Sequence, residues 1–262
     1  MLHGDYIGFI DSDDYIAEDM FESLYNLCEK YNADISIESF FEIRKDKIVS
    51  VMNSGKLQLL TREEAQIELL RDTNIQSYAW NKLYKKELFE TGIRYPVGKT
   101  FEDIATTYLL FEKSKKIVRQ EKPIYYYVRR DDSLTEARNY SNYKSYIEIN
   151  MEKYLYFFEK YPENIKIQEY NAYNFIMNMI WLYSLIVTYN LEELEKDFIE
   201  IFPFFISLVE KNKQIIDKEL NIFNKTILNM ILIDKDSTKK AIKELYVSER
   251  MKRENGESNL QI

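Results

Sequence analysis

Acidic side chains follow an apolar, strand-like run near the start of the chain. Residues 6–10 are rich in β-forming residues, and they are followed by Asp11, Ser12, Asp13 and Asp14. In open α/β sheets, ligands bind beyond the carboxyl ends of strands. Mg²⁺ and Mn²⁺ take carboxylate oxygens together with substrate phosphates. The pattern predicts a metal and phosphate site, and a solvated turn that caps the next helix is the alternative.

A second acidic pair, Glu102 and Asp103, stands at the start of a segment with helical spacing. The helix dipole stabilises carboxylates at this position, so the pair needs no functional explanation. The functional alternative is a general base. A hydroxyl group is a poor nucleophile at neutral pH, and a carboxylate within hydrogen-bond reach helps to remove its proton.

An aromatic residue and a lysine lie together in residues 79–84, which contain Trp80 and Lys82. The face of a tryptophan ring can stack on a sugar, but a buried tryptophan is usually part of a core. The segment alone therefore favours a core position for Trp80, and a ligand contact is the alternative.

Three consecutive tyrosines open residues 125–135, which also contain Arg130 and Ser133. A guanidinium group binds phosphate oxygens through a two-pronged set of hydrogen bonds, and a hydroxyl can add another. The alternative is a surface loop in which the arginines pair with Asp131 and Asp132.

Hydrophobic periodicity predicts the elements that must position these residues. Predicted helices cover residues 17–31, 62–71, 80–91 and 101–113, with a capping box of Thr61 and Glu64 before the second and Gly92 after the third. Predicted strands cover residues 6–10, 34–44, 48–52, 117–118 and 124–128.

After residue 140 only helical spacing is found, so we predict an α/β unit over residues 1–139 and an all-helical region over 140–262. The tail from Glu249 onward is expected to fray. The most apolar stretch, residues 175–189, is interrupted by polar side chains and is shorter than the roughly 20 residues of a bilayer span. It is predicted to be a buried helix, with contact to a membrane surface as the alternative.

Composition limits the partners and the compartment. The chain has 262 residues and a net charge of −8, which argues against nucleic acid as the main partner. Its single cysteine, Cys28, cannot form an internal disulfide, and residues 1–4 contain no basic segment typical of a signal peptide. We therefore expect a cytoplasmic location, with peripheral contact at the inner face of the membrane as the alternative.

Taken together and in order, four segments resemble the family 2 glycosyltransferases of the GT-A fold. They are residues 4–14, the Trp-X-Lys-Leu-Tyr segment 80–84, the Phe-Glu-Asp segment 101–103, and the Tyr-Tyr-Tyr-X-X-Arg-X-X-Ser-X-Thr segment 125–135. Any one motif is weak, but four in the same order are specific. The resemblance covers residues 4–135 and implies a partial GT-A-type mixed sheet with flanking helices.

The resemblance implies an inverting transfer from a nucleotide diphosphate sugar to a glycan or lipid-linked hydroxyl acceptor, in cell-surface polysaccharide synthesis. Asp13 would hold Mn²⁺ or Mg²⁺ on the diphosphate, with Asp11 near the ribose and Asp14 beside them. Arg130 and Ser133 would close over the diphosphate.

The same resemblance implies the acceptor side of the reaction. Asp103 would be the base that deprotonates the acceptor hydroxyl, with Glu102 beside it. Trp80 and Lys82 would border the acceptor site.

The chain departs from the family pattern at its beginning. Family members carry further strands and helices before the segment that residues 4–14 resemble, and these hold the nucleotide base. We therefore expect that the base-binding half is missing, that a sheet edge is exposed and favours oligomers, and that the isolated chain has little or no transferase activity. A non-catalytic remnant that binds a sugar or a protein is the alternative. A metal-dependent phosphohydrolase using Asp11 and Asp13 is a weaker one.

Overall fold

The structure is a computed structural model that describes residues 4–44, 47–50, 52–129 and 140–254. The chain forms two compact units, Met1–Ala137 and Arg138–Ile262. The first is built on a β-sheet and the second is helical. The predicted class, α/β followed by an all-helical region, is confirmed.

The sheet of the first unit has seven strands within the described residues. They are β1 (Tyr6–Gly8), β2 (Tyr15–Ile16), β3 (Ile35–Arg44), β4 (Lys47–Ser50), β5 (Leu57–Thr61), β6 (Lys82–Lys85) and β7 (Lys116–Val128). The order is β1-β6-β3-β7-β2, with β4 beside β3 and β5 beside β7. Among the described strands only β3 and β7 pair in parallel, so the sheet is mixed.

Helices α1 (Met20–Tyr31), α2 (Arg62–Arg71), α3 (Glu87–Glu90) and α4 (Glu102–Lys113) accompany this sheet. The predicted capping box is confirmed. The Glu64 N–H donates to Thr61 Oγ1 at 3.3 Å, and the Thr61 N–H donates to Glu64 Oε2 at 2.8 Å. Met20 and Leu24 of α1 pack with Phe40, Trp80, Leu83, Ile124 and Tyr125 in one buried cluster.

Strand β7 joins the two strands predicted over residues 117–118 and 124–128 into one. The pattern suggested a break because Pro123 lies between them and has no N–H to donate. Pro123 is opposite Ser39, where the register between β3 and β7 shifts. An irregular position of this kind tolerates a proline, so the strand continues through it.

The helix predicted over residues 80–91 is wrong. Lys82–Lys85 forms β6, and only Glu87–Glu90 is helical. Strand β6 is paired on one side with β1 and on the other with β3. Pairing on both sides outweighs local helix propensity, which is a weak determinant.

The strand predicted over residues 6–10 is shorter and less buried than expected. It ends at Gly8, and Tyr6 and Ile7 are only half-buried. Among the described strands β1 pairs with β6 alone, so no described strand pairs with its other edge. The short strands β2 and β5 were not predicted, because their sequences give too little alternation to identify.

The second unit consists, in its described residues, of α5 (Tyr140–Lys160), α6 (Ile165–Tyr189), α7 (Glu192–Lys211), α8 (Lys213–Glu219), α9 (Ile222–Asp234) and α10 (Lys239–Glu254). Helix α6 packs against α5, α7, α8, α9 and α10. Residues 175–189 belong to this central helix and are largely buried, as predicted. None of the described helices is both long enough and apolar enough to cross a membrane.

Candidate functional site

The acidic loop, defined as residues 11–14, lies between β1 and β2 and is fastened to β7. The hydroxyl of Tyr125 donates to Asp14 Oδ2 at 2.8 Å and accepts a bond from the Asp11 N–H at 3.1 Å. The Val128 N–H donates to Asp14 Oδ1 at 2.8 Å. A further bond of 3.2 Å from the Asp14 N–H to the Asp11 carbonyl closes the turn. The loop therefore has a defined conformation set by residues far along the chain.

Two acidic segments converge at this loop. Loss of hydration is the main cause that raises the pKa of Asp11 from 3.8 to about 6, and the negative charges of Asp14, Asp13, Glu102 and Asp103 contribute to this rise. Charges act on a pKa in this way only when they are close. The structure thus brings together the two acidic segments that the sequence singled out separately.

Asp103 lies at the start of α4 and is half-buried. Its burial is the main cause that raises its pKa to about 6, and the negative charge of Glu102 adds to it. The Ile104 N–H, which donates to Asp103 Oδ1 at 2.8 Å, and the positive charge of Lys82 act in the opposite direction. A carboxylate with this pKa is mostly ionised at pH 7 and close enough to neutrality to take up a proton, as a general base must.

The backbone at Phe101 sets the direction in which α4 begins. Phe101 has φ 62° and ψ 31°, a left-handed conformation that is unfavourable for a residue with a side chain. Farther along α4, the Thr107 hydroxyl donates to the Ser77 carbonyl at 2.5 Å and holds the helix against the segment that leads to Trp80. Strain of this kind occurs frequently at functional sites.

Trp80 lies beneath the site and not on its surface. Trp80 is 5% exposed. It stacks on Tyr125 with centroids 4.2 Å apart, on Tyr78 at 4.8 Å and on Tyr127 at 5.6 Å. Almost no ring surface is left for a sugar. Trp80, which the resemblance placed beside the acceptor, therefore lies in the core.

Lys82 is also interior, with no exposed surface. Its ammonium group donates to the carbonyls of Gln76 at 2.8 Å and Tyr78 at 2.5 Å, and to Asn81 Oδ1 at 2.8 Å. These three acceptors use all of its donors. Lys82 therefore fixes the segment before β6, and its positive charge reaches Asp103 only through space.

Two tyrosines near Asp103 were missed from the sequence. The hydroxyl groups of Tyr84 and Tyr95 are buried, and they lie near each other and near Thr107. Burial is the main cause that raises the pKa of both, and the negative charge of Asp103 adds to the rise. Tyr84 belongs to the Trp-X-Lys-Leu-Tyr segment, so the motif contained a signal, whereas nothing in the sequence distinguishes Tyr95.

The residues predicted to close over a diphosphate, Arg130 and Ser133, lie outside the described residues. The first residues of the same motif, 125–128, belong to β7, and Tyr125 and Val128 hold the acidic loop. The sequence placed these residues in a motif but could not assign them this contact.

A divalent cation fits the donor set of the loop. Within the described residues no group of three or more His, Cys, Asp and Glu side chains is arranged to hold a metal. Asp11 and Asp13 are exposed and could supply one or two carboxylate oxygens, which is the usual protein share of a site completed by substrate phosphates. Burial and the crowding of negative charges both raise the pKa of Asp11, and a cation relieves the crowding.

The chain is similar in sequence and in fold to several known proteins. Residues 1–92 match the family described as "Glycosyl transferase family 2". The chain is 30% identical over 144 residues to glycosyltransferase GlyA of Streptococcus pneumoniae, covering 52% of this chain and 20% of GlyA. It is 30% identical over 138 residues to the uncharacterised glycosyltransferase EpsJ of Bacillus subtilis, covering 51% of this chain and 40% of EpsJ.

A poly(ribitol-phosphate) beta-glucosyltransferase of Bacillus spizizenii is 30% identical over 132 residues, covering 49% of this chain and 20% of that protein. Among solved structures, S. aureus TarS 1-349 in complex with UDP-GlcNAc matches 94% of this chain and 69% of that one, with a TM-score of 0.65 and 17% identity. The chain spans between 20% and 46% of the length of the curated relatives it matches.

The fold is that of the GT-A glycosyltransferases. In its N-terminal segment, residues 1–92, the chain is similar to glycosyltransferase family 2.

Proposed function

We propose that this chain carries the metal-binding and acceptor-activating side of an inverting glycosyltransferase. The donor is a nucleotide diphosphate sugar, and the acceptor is a hydroxyl group of a cell-wall polysaccharide. The observation that carries the proposal is the convergence of the acidic loop with Glu102 and Asp103, seen in the pKa of Asp11. In this proposal the acidic loop supplies a cation ligand and Asp103 supplies a base, the two groups that the reaction needs.

The donor is held at the acidic loop in this proposal. Asp13 binds Mn²⁺ or Mg²⁺ on the diphosphate, Asp11 lies near the ribose, and Asp14 keeps the loop in place. When bound, the metal neutralises the charge that develops on the departing diphosphate. Arg130 and Ser133 are proposed to contact the diphosphate from the segment that follows β7.

Asp103 is the proposed base. Its carboxylate takes the proton of the acceptor hydroxyl while the acceptor oxygen forms a bond to the anomeric carbon. The bond from that carbon to the diphosphate oxygen breaks on the opposite face, so the configuration inverts. The pKa of about 6 suits a base that works near neutral pH.

The relatives suggest which compounds to test first. The matching structure of S. aureus TarS contains UDP-GlcNAc, and one relative acts on poly(ribitol phosphate). UDP-GlcNAc, UDP-glucose and a poly(ribitol phosphate) chain are therefore the first probes of donor and acceptor.

Binding is tested by calorimetric titration of the chain with UDP in the presence and absence of Mn²⁺. We expect a Mn²⁺-dependent Kd below the millimolar range. Asp13→Asn should weaken binding, whereas Glu90→Gln, which removes an exposed carboxylate from α3, should leave it unchanged. Absence of Mn²⁺-dependent binding contradicts the proposal.

Transfer is tested by measuring UDP release in the presence of the acceptor. Any turnover that the unchanged chain shows should fall by about 10²–10⁴-fold in Asp103→Asn, the usual contribution of a general base. Binding without turnover in the unchanged chain favours a non-catalytic binding module. Release of phosphate without an acceptor favours a phosphohydrolase.

A further inference from the structure

We propose that Tyr125 is the positioning residue of the acidic loop and that its hydroxyl sets the affinity for the metal and the diphosphate. The inference rests on the proposed function and deepens it. It assigns to one hydroxyl the task of holding Asp11 and Asp14 so that Asp13 faces the ligand.

The hydroxyl of Tyr125 is used in two directions at once. It accepts from the Asp11 N–H at 3.1 Å and donates to Asp14 Oδ2 at 2.8 Å. Both ends of the acidic loop are therefore joined through one oxygen atom. A hydrogen bond to an ionised carboxylate is stronger than one between neutral groups. The bond that Tyr125 donates to Asp14 is therefore the stronger of the two.

Asp14 and Asp13 have different surroundings. Each oxygen of Asp14 accepts a bond from β7, one from the Tyr125 hydroxyl and one from the Val128 N–H. Asp14 is half-buried, whereas Asp13 is exposed. Asp14 therefore fastens the loop to the sheet, and Asp13 is left on the side that a cation and a diphosphate can reach.

Tyr125 is itself held firmly. Its side chain has no exposed surface, and its ring stacks on Trp80 at 4.2 Å. Its backbone pairs with Ile16 in β2, the strand that follows the acidic loop. The ring that carries the hydroxyl is thus closely packed and cannot move freely. Replacement of Tyr125 by phenylalanine removes only the oxygen and keeps the ring.

The test compares Tyr125→Phe with Tyr126→Phe, which removes the same atom one position along the same strand. The first readout is the exchange rate of the Asp11 amide hydrogen, which needs no ligand. Tyr125→Phe should increase it by about 3- to 10-fold, as expected for the loss of one hydrogen bond. Tyr126→Phe should leave it unchanged.

The second readout is the affinity for UDP and Mn²⁺. Tyr125→Phe should weaken it by about 10- to 100-fold, the range found when a residue behind a metal ligand is removed. Excess Mn²⁺ should restore UDP binding, because the ligand Asp13 is still present. Asp14→Asn, which keeps the tyrosine, should reproduce the loss and provides a second variant if Tyr125→Phe folds poorly.

The outcomes separate this inference from the proposed function. If the unchanged chain does not bind UDP with Mn²⁺, the proposed function fails. This inference then fails with it, even if Tyr125→Phe increases the exchange rate of the Asp11 amide hydrogen. If the unchanged chain binds UDP but Tyr125→Phe binds it equally well, only the positioning role is overturned. If Tyr125→Phe leaves the exchange rate of the Asp11 amide hydrogen unchanged, the hydroxyl does not hold the loop, and the positioning role is overturned.

Discussion

The indole ring of Trp80 stacks on the ring of Tyr125, with centroids 4.2 Å apart and planes at 19°. Tyr125 in turn carries the hydroxyl that holds Asp14. The motif around Trp80 and the motif around Tyr125 are thus parts of one packed cluster, and the acidic loop depends on both.

Replacing Trp80 should affect stability before it affects any ligand. Trp80→Ala should lower the free energy of unfolding by about 3–5 kcal/mol, the usual cost of removing a buried tryptophan. Trp80→Phe should cost less because it keeps a ring on Tyr125. Urea unfolding followed by circular dichroism measures both.

Val97→Ala is the control, since Val97 is fully exposed and should change stability by no more than about 0.5 kcal/mol. A stable Trp80→Ala variant that loses only acceptor affinity would contradict the buried position and restore Trp80 as a sugar contact.

The pH dependence of transfer should report Asp103. A base works when ionised, so the rate should fall as the pH falls through about 6. The negative charge of Glu102 raises the pKa of Asp103, and Glu102→Gln should therefore move this limb to lower pH. Profiles of kcat/KM against pH measure the shift.

Glu90→Gln is the matched control, because it removes an exposed carboxylate from α3. Asp11 has a pKa in the same range, so the affinity for UDP is measured separately at each pH. If the acidic limb of the kcat/KM profile lies at the same pH in Glu102→Gln as in the unchanged chain, a group other than Asp103 controls the rate.

Glu38 should make the folded state less stable as the pH rises. The side chain is 1% exposed, Ser23 donates to Oε1 at 2.9 Å, and Oε2 has no partner among the described residues. Burial raises its pKa from 4.5 to about 7, a rise that Ser23 and Lys122 reduce and Asp19 increases. The folded state then binds the proton more tightly than the unfolded state.

Between pH 4.5 and 7 this difference should cost up to about 3 kcal/mol of unfolding free energy. Glu38→Gln should flatten the fall, as measured by urea unfolding at pH 5 and pH 8. Glu22→Gln, a change at an exposed position in α1, should keep it. Parallel profiles for the unchanged chain and Glu38→Gln would show that Glu38 is not responsible.

Local features of the fold could be predicted from sequence, and features that depend on distant partners could not. The capping box at Thr61 involves residues three apart, and α4 has its own helical spacing, so both were predicted. Strand β6 takes its form from β1 and β3, and its local pattern indicated a helix.

The candidate site shows the same limit. The acids of the site were identified from their types and positions. The contact between Tyr125 and Asp14 joins residues 111 positions apart, and no local pattern encodes it. The burial of Trp80 likewise follows from Tyr125 and Tyr127 in the distant strand β7.

The fastening of the acidic loop has a consequence for how a ligand enters. Three hydrogen bonds join residues 11–14 to β7, and the loop cannot swing outward without breaking them. An incoming donor meets a preorganised surface and loses little conformational entropy there. Movements that admit and release it must come from segments other than this loop.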